Sequence, residues 1–167
     1  MRNLLACLVP AAIAASLFLG TSSARAGEVA LGAGVGVALP LQNTFKAGVD
    51  VDGLLGYRLH VGPFFLQPEA VGGYRNLGDA SLGRFGAGAH FGFGHLVQPQ
   101  VYAHVGAAFG DVSGFNFDGG GALDLKVSVV YVGVHAGFDI LSNSAVGPAS
   151  GNSIQWLDLG LHAGLLL

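Results

Sequence analysis

The chain has 167 residues, of which 51% are hydrophobic and 10% charged, and its formal net charge at pH 7 is −3. An acidic chain of this composition has no electrostatic basis for binding nucleic acid. After residue 26 it contains no run of about 20 apolar residues, which excludes a membrane helix. A closed barrel is the other structure that satisfies every backbone polar group in lipid.

The first 26 residues have the pattern of a signal peptide. Arg2 gives a positive start, residues 4–19 form an apolar stretch, and Ala24-Arg25-Ala26 supplies an A-x-A cleavage pattern. A membrane anchor is the alternative, but this stretch is shorter than the roughly 20 residues that a spanning helix needs. We therefore predict cleavage after Ala26, which leaves residues 27–167 as one barrel domain without cysteine.

From Glu28 onward, apolar residues alternate with small or polar ones. Side chains of a strand point alternately to opposite faces, so this pattern gives each strand one apolar and one small or polar face. Segments of about ten such residues are typical of a transmembrane β-barrel. We predict an all-β, eight-stranded, antiparallel up-and-down transmembrane β-barrel. Its predicted strands are 28–39, 45–59, 64–75, 84–94, 98–110, 121–127, 129–140 and 154–167.

The strand pattern is regular in the first strand and is interrupted at two later points. The apolar set of the first strand is Val29, Leu31, Ala33, Val35, Val37 and Leu39. In the third strand, Pro68 cannot donate to a ladder, which predicts a bulge. The apolar parity changes near Ser128, and because a strand cannot change faces without an interruption, a tight turn or bulge is predicted there.

The connections predict an orientation in the membrane. Those after odd-numbered strands are longer than those after even-numbered ones, namely 40–44, 76–83, 111–120 and 141–153. Barrels of the bacterial outer membrane have long extracellular loops and short periplasmic turns. Both termini are therefore expected in the periplasm.

Aromatic residues are expected in two roles. Most lie on the apolar face near predicted strand ends, as in the girdles at membrane interfaces: Phe64, Tyr74, Phe85, Phe93, Phe109 and Trp156. Phe115 and Phe117 fall instead in the third predicted loop, where they are candidates for contact with lipopolysaccharide or a partner. Continuation of a strand above the membrane explains them equally well.

With these features the chain resembles the small eight-stranded outer-membrane barrels typified by the transmembrane domain of outer-membrane protein A. The resemblance rests on the strand pattern, on Gly56-Tyr57-Arg58-Leu59, on Glu69 inside the third strand, and on Leu157-Asp158-Leu159-Gly160-Leu161. It implies a bacterial outer-membrane location, surroundings of outer-membrane lipid and lipopolysaccharide, and the barrel assembly machinery as a partner. A monomer without a cofactor is expected.

The inward positions carry charges of both signs in equal number. Eight strands enclose an interior that side chains fill, and charges there must be paired. We interpret them as a polar network that fixes the register of the strands. The candidates are Lys46, Asp50, Asp52, Arg58, Glu69, Arg75, Arg84, Asp124, Lys126 and Asp158.

Four histidines join this predicted network. His90, His104, His135 and His162 all have inward parity, and each lies several residues from the periplasmic end of its strand. A histidine cluster at one depth could bind a metal or titrate between about pH 5 and 8. They lie on four different strands without a local ligand motif, so we interpret them as hydrogen-bonded core residues and predict no metal site.

The sequence favours a structural role in the envelope, with extracellular loops available for surface contacts. The alternative is a narrow channel for ions or small solutes through a partly empty, glycine-lined interior. An enzyme that modifies lipid A is less compatible, because the few serines lie mainly in predicted loops and none is paired with a histidine. A soluble ligand-binding barrel would require the apolar face to point inward.

Overall fold

The computed structural model describes residues 27–42, 45–78, 80–142 and 153–167, so the predicted signal peptide lies outside the described residues. In the described part, all regular structure is β-strand, and no helix there is long and apolar enough to cross a membrane. The strands are β1 (Glu28–Pro40), β2 (Gly48–Val61), β3 (Phe64–Asn76), β4 (Ser81–Phe93), β5 (Val97–Gly110), β6 (Gly114–Val127), β7 (Val130–Ser142) and β8 (Ile154–Leu166).

The eight strands form a closed barrel in which every strand pairs antiparallel with its neighbours in the chain. β1 and β8 close the sheet through eleven paired positions, from Ala30 with Leu166 to Pro40 with Trp156. Closure removes both sheet edges, so the backbone groups of the strands are paired within the barrel. The predicted fold class is confirmed.

The register of the strands sets the width and tilt of the barrel. A path of paired residues that starts at Ala30 and crosses each strand once returns to β1 at Pro40. Its members are Ala30, Gly56, Glu69, Gly88, His104, Asp118, Asp139, Trp156 and Pro40. The stagger between residues 30 and 40 gives a shear number of 10, which for eight strands corresponds to a tilt of about 40°. The interior is therefore narrow and filled by side chains.

The two faces of the sheet differ as the alternation predicts. Large apolar side chains cover the outside, where Phe85 is 65% exposed and Leu161 is 60% exposed, while charged residues such as Asp50 and Arg58 are buried inside. This distribution of apolar and charged side chains is the reverse of that in a protein folded in water. The outer surface is the apolar band of a barrel that faces lipid.

The two ends of the barrel are different. At one end, which we call the turn end, the connections are Gly62-Pro63, residues 94–96 and Ser128-Val129. Gly62 and Ser128 have positive φ angles of 61° and 59°, as the first central residue of a type II′ hairpin turn requires. The predicted interruption at Ser128 is therefore a two-residue turn. The other end, the loop end, carries the connections 41–47, 77–80, 111–113 and 143–153.

The prediction of a third loop at 111–120 is wrong. β6 begins at Gly114, so Phe115 and Phe117 belong to a strand and pair with Ala107 and Val105 of β5. Both lie at odd-numbered positions, as Leu123 does, so their side chains point outward. The run of glycines at 119–121 concealed this continuity, since it supplies no apolar side chain to mark the face.

Four smaller predictions also need correction. Trp156 is 1% exposed and points inward. Phe45, the first residue of the predicted strand 45–59, precedes β2 and packs against buried residues at the loop end instead of facing lipid. Lys46 is exposed in the connection before β2, outside the interior. Pro68 causes no bulge, because Gly56 pairs with Glu69 on one side of it and Leu59 with Leu66 on the other, in one unbroken register. The proline only leaves the ladder unpaired locally.

If the outer surface faces lipid, the destabilisation caused by an outward-facing charge should depend on its depth in the membrane. Val35 lies in the middle of β1 and Val61 beside a turn, and the two are 51% and 61% exposed. We expect Val35→Arg to lower the free energy of unfolding in lipid by about 2–4 kcal/mol and Val61→Arg by about 0–1 kcal/mol. Reversible denaturant titrations of the barrel refolded into vesicles measure both. Equal costs would contradict the assignment.

Candidate functional site: the polar interior

Buried apolar side chains form a cluster toward each end of the interior. The loop-end cluster consists of Ala38, Leu77, Leu82, Ala108, Leu141, Ile154 and Trp156, with Phe45 and Val112 packed against it. The turn-end cluster consists of Ala30, Tyr131 and Leu166, with Leu54 against it. Between these clusters lies a continuous set of buried polar groups.

The largest group of charges, which we call the arginine cluster, joins two cations to five carboxylates: Arg75, Arg84, Asp50, Asp52, Asp118, Asp139 and Asp158. Arg75 is 0% exposed, and its guanidinium donates to Asp139 at 2.9 Å, to Asp158 at 2.5 Å, and to Asp50. Arg84 lies 3.3 Å from Asp118 and within 3.8 Å of three further carboxylates. Each arginine thereby ties together several strands.

Neutral side chains complete the arginine cluster. The indole Nε1 of Trp156 donates to Asp139 at 2.9 Å, and Nδ2 of Asn116 donates to its other oxygen at 3.0 Å. The guanidinium of Arg75 also lies 4.9 Å from the centre of the Trp156 ring. These donors satisfy carboxylate oxygens that two arginines alone cannot serve.

A second group, the Glu69 group, consists of Glu69, His90 and His104 from three consecutive strands. Oε1 of Glu69 lies 3.0 Å from Nε2 of His90 and 2.8 Å from Nε2 of His104. The opposite ring nitrogens are bonded as well, Nδ1 of His104 to Asp118 at 2.6 Å and Nδ1 of His90 to Gln100 at 2.9 Å. One ligand atom from each of the three lies within 4.8 Å of the others, as metal coordination requires.

A third group, the histidine pair, lies between β7 and β8. Nδ1 of His135 and Nδ1 of His162 are 3.1 Å apart, and Nε2 of His162 is bonded to Asp124 at 2.6 Å. Nε2 of His135 lies 3.6 Å from Asp158 of the arginine cluster. The four predicted histidines therefore do not form one cluster but divide into two pairs.

The remaining cations lie toward the turn end. Arg58 donates to Gln67 and Gln98, each at 2.8 Å, and covers the buried Phe65 ring at 4.1 Å. Gln67 in turn donates to Glu69 at 2.6 Å and so joins Arg58 to the Glu69 group. Lys126 pairs with the partly exposed Glu28 at 3.0 Å.

Much of this network was not predicted from the sequence. The loop predicted at 111–120 contains Asp118, although the outward parity of Phe117 places the Asp118 side chain inside. Gln98 and Gln100 have inward parity but carry no charge to mark them as partners, and Trp156 was assigned to the outer face. Of the predicted set, only Lys46 lies outside the interior.

A small internal cavity of about 60 Å³ lies among these groups. Its lining includes Glu69, His104, Tyr102, Asp124 and His162. This volume has room for a few water molecules, since one requires about 10–15 Å³ by this measure. The interior is thus a packed polar core with a small pocket, and an apolar cluster lies toward each of its ends.

The fold and the packed interior define the chain as an eight-stranded transmembrane barrel of the outer-membrane type. The crystal structure of Neisserial surface protein A matches it with a TM-score of 0.61 and 12% identity, over 87% of this chain and 100% of that chain. A de novo designed transmembrane β-barrel matches with a TM-score of 0.45 and 18% identity, over 81% of this chain and 95% of that chain. No family model and no curated protein matches the sequence.

The arginine cluster predicts a large difference between two cation substitutions. Arg75→Met should lower the free energy of unfolding by about 3–5 kcal/mol, because it leaves buried carboxylates without their cation. Lys126→Met removes a partly exposed pair and should cost no more than about 1 kcal/mol. Denaturant titrations of both variants in the same vesicles measure the difference. Similar costs for the two substitutions would show that the buried carboxylates do not depend on the Arg75 cation for stability.

Proposed function

We propose that this chain is a structural protein of the bacterial outer membrane, whose closed barrel supports the envelope and exposes its loop end at the cell surface. The observation that carries the proposal is the closed interior. Large buried side chains, among them Trp156, Arg58, Arg75 and Phe65, fill most of the lumen and leave a cavity of only about 60 Å³. A barrel packed in this way supplies a rigid membrane unit rather than a route across the membrane.

The outer surface supports a membrane-spanning orientation. Exposed aromatics near the turn end are Tyr57, Phe64, Phe91 and Phe93, and those toward the loop end are Tyr74, Phe85, Phe109, Phe115 and Phe117. Such pairs of belts lie at the two interfaces of a membrane barrel. In this proposal Phe115 and Phe117 contact the outer leaflet, where lipopolysaccharide is the expected lipid.

The fold shared with Neisserial surface protein A is compatible with a place at the cell surface, and the proposed orientation rests on the longer connections at the loop end. That protein is described as a surface protein and shares the barrel fold at 12% identity. At the loop end of this chain, Asp111 accepts hydrogen bonds from the backbone N and from Oγ of Ser81 at 2.9 and 3.0 Å, which lower the pKa of the exposed Asp111 carboxyl. These two bonds fix the short 111–113 connection to the start of β4. In this proposal the connection is part of the surface available for contacts.

Conductance distinguishes the structural role from the narrow channel. The refolded wild-type barrel in a planar bilayer should produce no discrete current steps, because the apolar clusters and the arginine cluster leave no continuous aqueous path. A known porin in the same bilayer serves as the positive control. Reproducible steps from the purified barrel would favour the channel and overturn the structural proposal.

Single-cysteine labelling tests location and orientation together. Residues 27–167 contain no cysteine, so Ser113→Cys at the loop end and Ser128→Cys at the turn end are matched probes. In intact Gram-negative cells, a membrane-impermeant maleimide should label the first and should reach the second only after the outer membrane is permeabilised. The wild-type chain is the blank. Labelling of Ser128→Cys alone in intact cells would reverse the orientation and contradict the proposal.

A further inference from the structure

The Glu69 group is arranged for more than hydrogen bonding. We propose that Glu69, His90 and His104 form a binding site for one divalent transition-metal ion, with Zn²⁺ as the best-fitting ion. Two imidazole nitrogens and one carboxylate oxygen are a common protein donor set for zinc. The ion would join β3, β4 and β5 inside the barrel.

The donor atoms need to move little to accept an ion. Zinc bonds of about 2.1 Å in tetrahedral geometry place neighbouring donor atoms about 3.4 Å apart. The two distances from Glu69 Oε1 to the histidine Nε2 atoms are 3.0 and 2.8 Å. An opening of about half an ångström along each of these two contacts gives the required spacing, and the ligand atoms of all three residues already lie within 4.8 Å of one another.

Groups behind the two histidines orient them for coordination. Asp118 accepts from Nδ1 of His104 at 2.6 Å, and Oε1 of Gln100 faces Nδ1 of His90 at 2.9 Å. A proton held on each Nδ1 leaves the Nε2 lone pairs directed at Glu69. Carboxylate or carbonyl oxygens behind the ligating histidines are the usual arrangement at zinc sites. Three acceptor atoms then face one point, and either protons or a cation must lie between them.

The backbone of β4 is shaped to let the donors meet. Gly88 of β4 pairs with Glu69 on one side and with His104 on the other. A Cβ at residue 88 would collide with the His104 ring and with the carbonyl of Ala103, so only glycine lets this imidazole lie across β4. Tyr102 stacks on both rings, with centroids 5.1 Å from His90 and 5.4 Å from His104, and limits their rotation.

The histidine pair has the same residue types but not this geometry. Its two imidazoles face each other through their Nδ1 atoms, and Asp124 bonds to the far nitrogen of His162. The donors form a line rather than converging on a point. The cavity reaches both groups, so it can supply a water ligand to the Glu69 group without making the pair a second site.

Zinc binding by the refolded barrel tests the proposal directly. After treatment with a chelator, the wild type should bind one Zn²⁺ by titration calorimetry near neutral pH and should release protons, measured as a dependence of the heat on buffer. Its thermal unfolding midpoint should rise with zinc. Co²⁺ in place of zinc should give the visible spectrum of a four- or five-coordinate site with nitrogen and oxygen donors.

Variants distinguish this site from other binding. Glu69→Gln, His90→Gln and His104→Gln should each weaken zinc binding by more than about 100-fold, because changes behind the ligands alone cost about 10- to 100-fold. His162→Gln, which changes a partly buried histidine bonded to a carboxylate, should bind like the wild type. Heat-dependent mobility in gel electrophoresis verifies that each variant folds, and only folded variants are compared.

Two results would overturn the proposal. One is a wild-type barrel that binds no zinc at millimolar concentration. The other is binding that survives in His90→Gln and His104→Gln, which would place the ion elsewhere. Both results leave the structural role intact, since conductance and labelling test that role without zinc.

Discussion

Closure of eight strands with a shear of ten residues is the constraint on which the rest of this structure depends. It pairs the strand backbones and leaves only a narrow lumen, so inward side chains must pack against one another. A charged group in that lumen cannot reach bulk water and must find its partner on another strand. The network of Arg75 and Arg84 is the consequence, since these two residues contact carboxylates from β2, β6, β7 and β8.

The same constraint explains why the interior is polar although the protein is rich in apolar residues. The large apolar side chains lie on the outside, in contact with lipid. A lumen filled by apolar side chains would not distinguish one register from another. Shifting a strand by one residue exchanges its two faces, so a misplaced β3 would present Arg75 to lipid. Charge pairs that form in one register alone therefore specify the barrel, even where they add little net stability.

Parity is sufficient to predict the fold and the inward face of most strands, but not which of the inward side chains meet. The alternation of residues such as Val29 and Leu31 gave the strands, and the change at Ser128 gave a turn. It fails where the marking side chains are absent, as at 119–121. Trp156 has the same inward parity as Asp158, so its assignment to the lipid face disregards the alternation and is wrong for that reason. The contact of Glu69 with His104 depends on register across β4, which no local pattern in either strand encodes.

Glycine inside the barrel determines where long side chains can cross a neighbouring strand. Gly88 gives the His104 ring its position over β4, and Gly160 does the same for His135. At the first of these crossings, Oε1 of Glu69 meets the Nε2 atoms of His90 and His104. This point lies between the stacked Arg58 and Phe65, which are toward the turn end, and the loop-end cluster. The cavity beside it has a volume of only about 60 Å³, which leaves room for water molecules but not for an organic substrate at the metal. The physical consequence of a metal held there is to link β3, β4 and β5 from within, which adds to the rigidity that closure and the arginine cluster already provide.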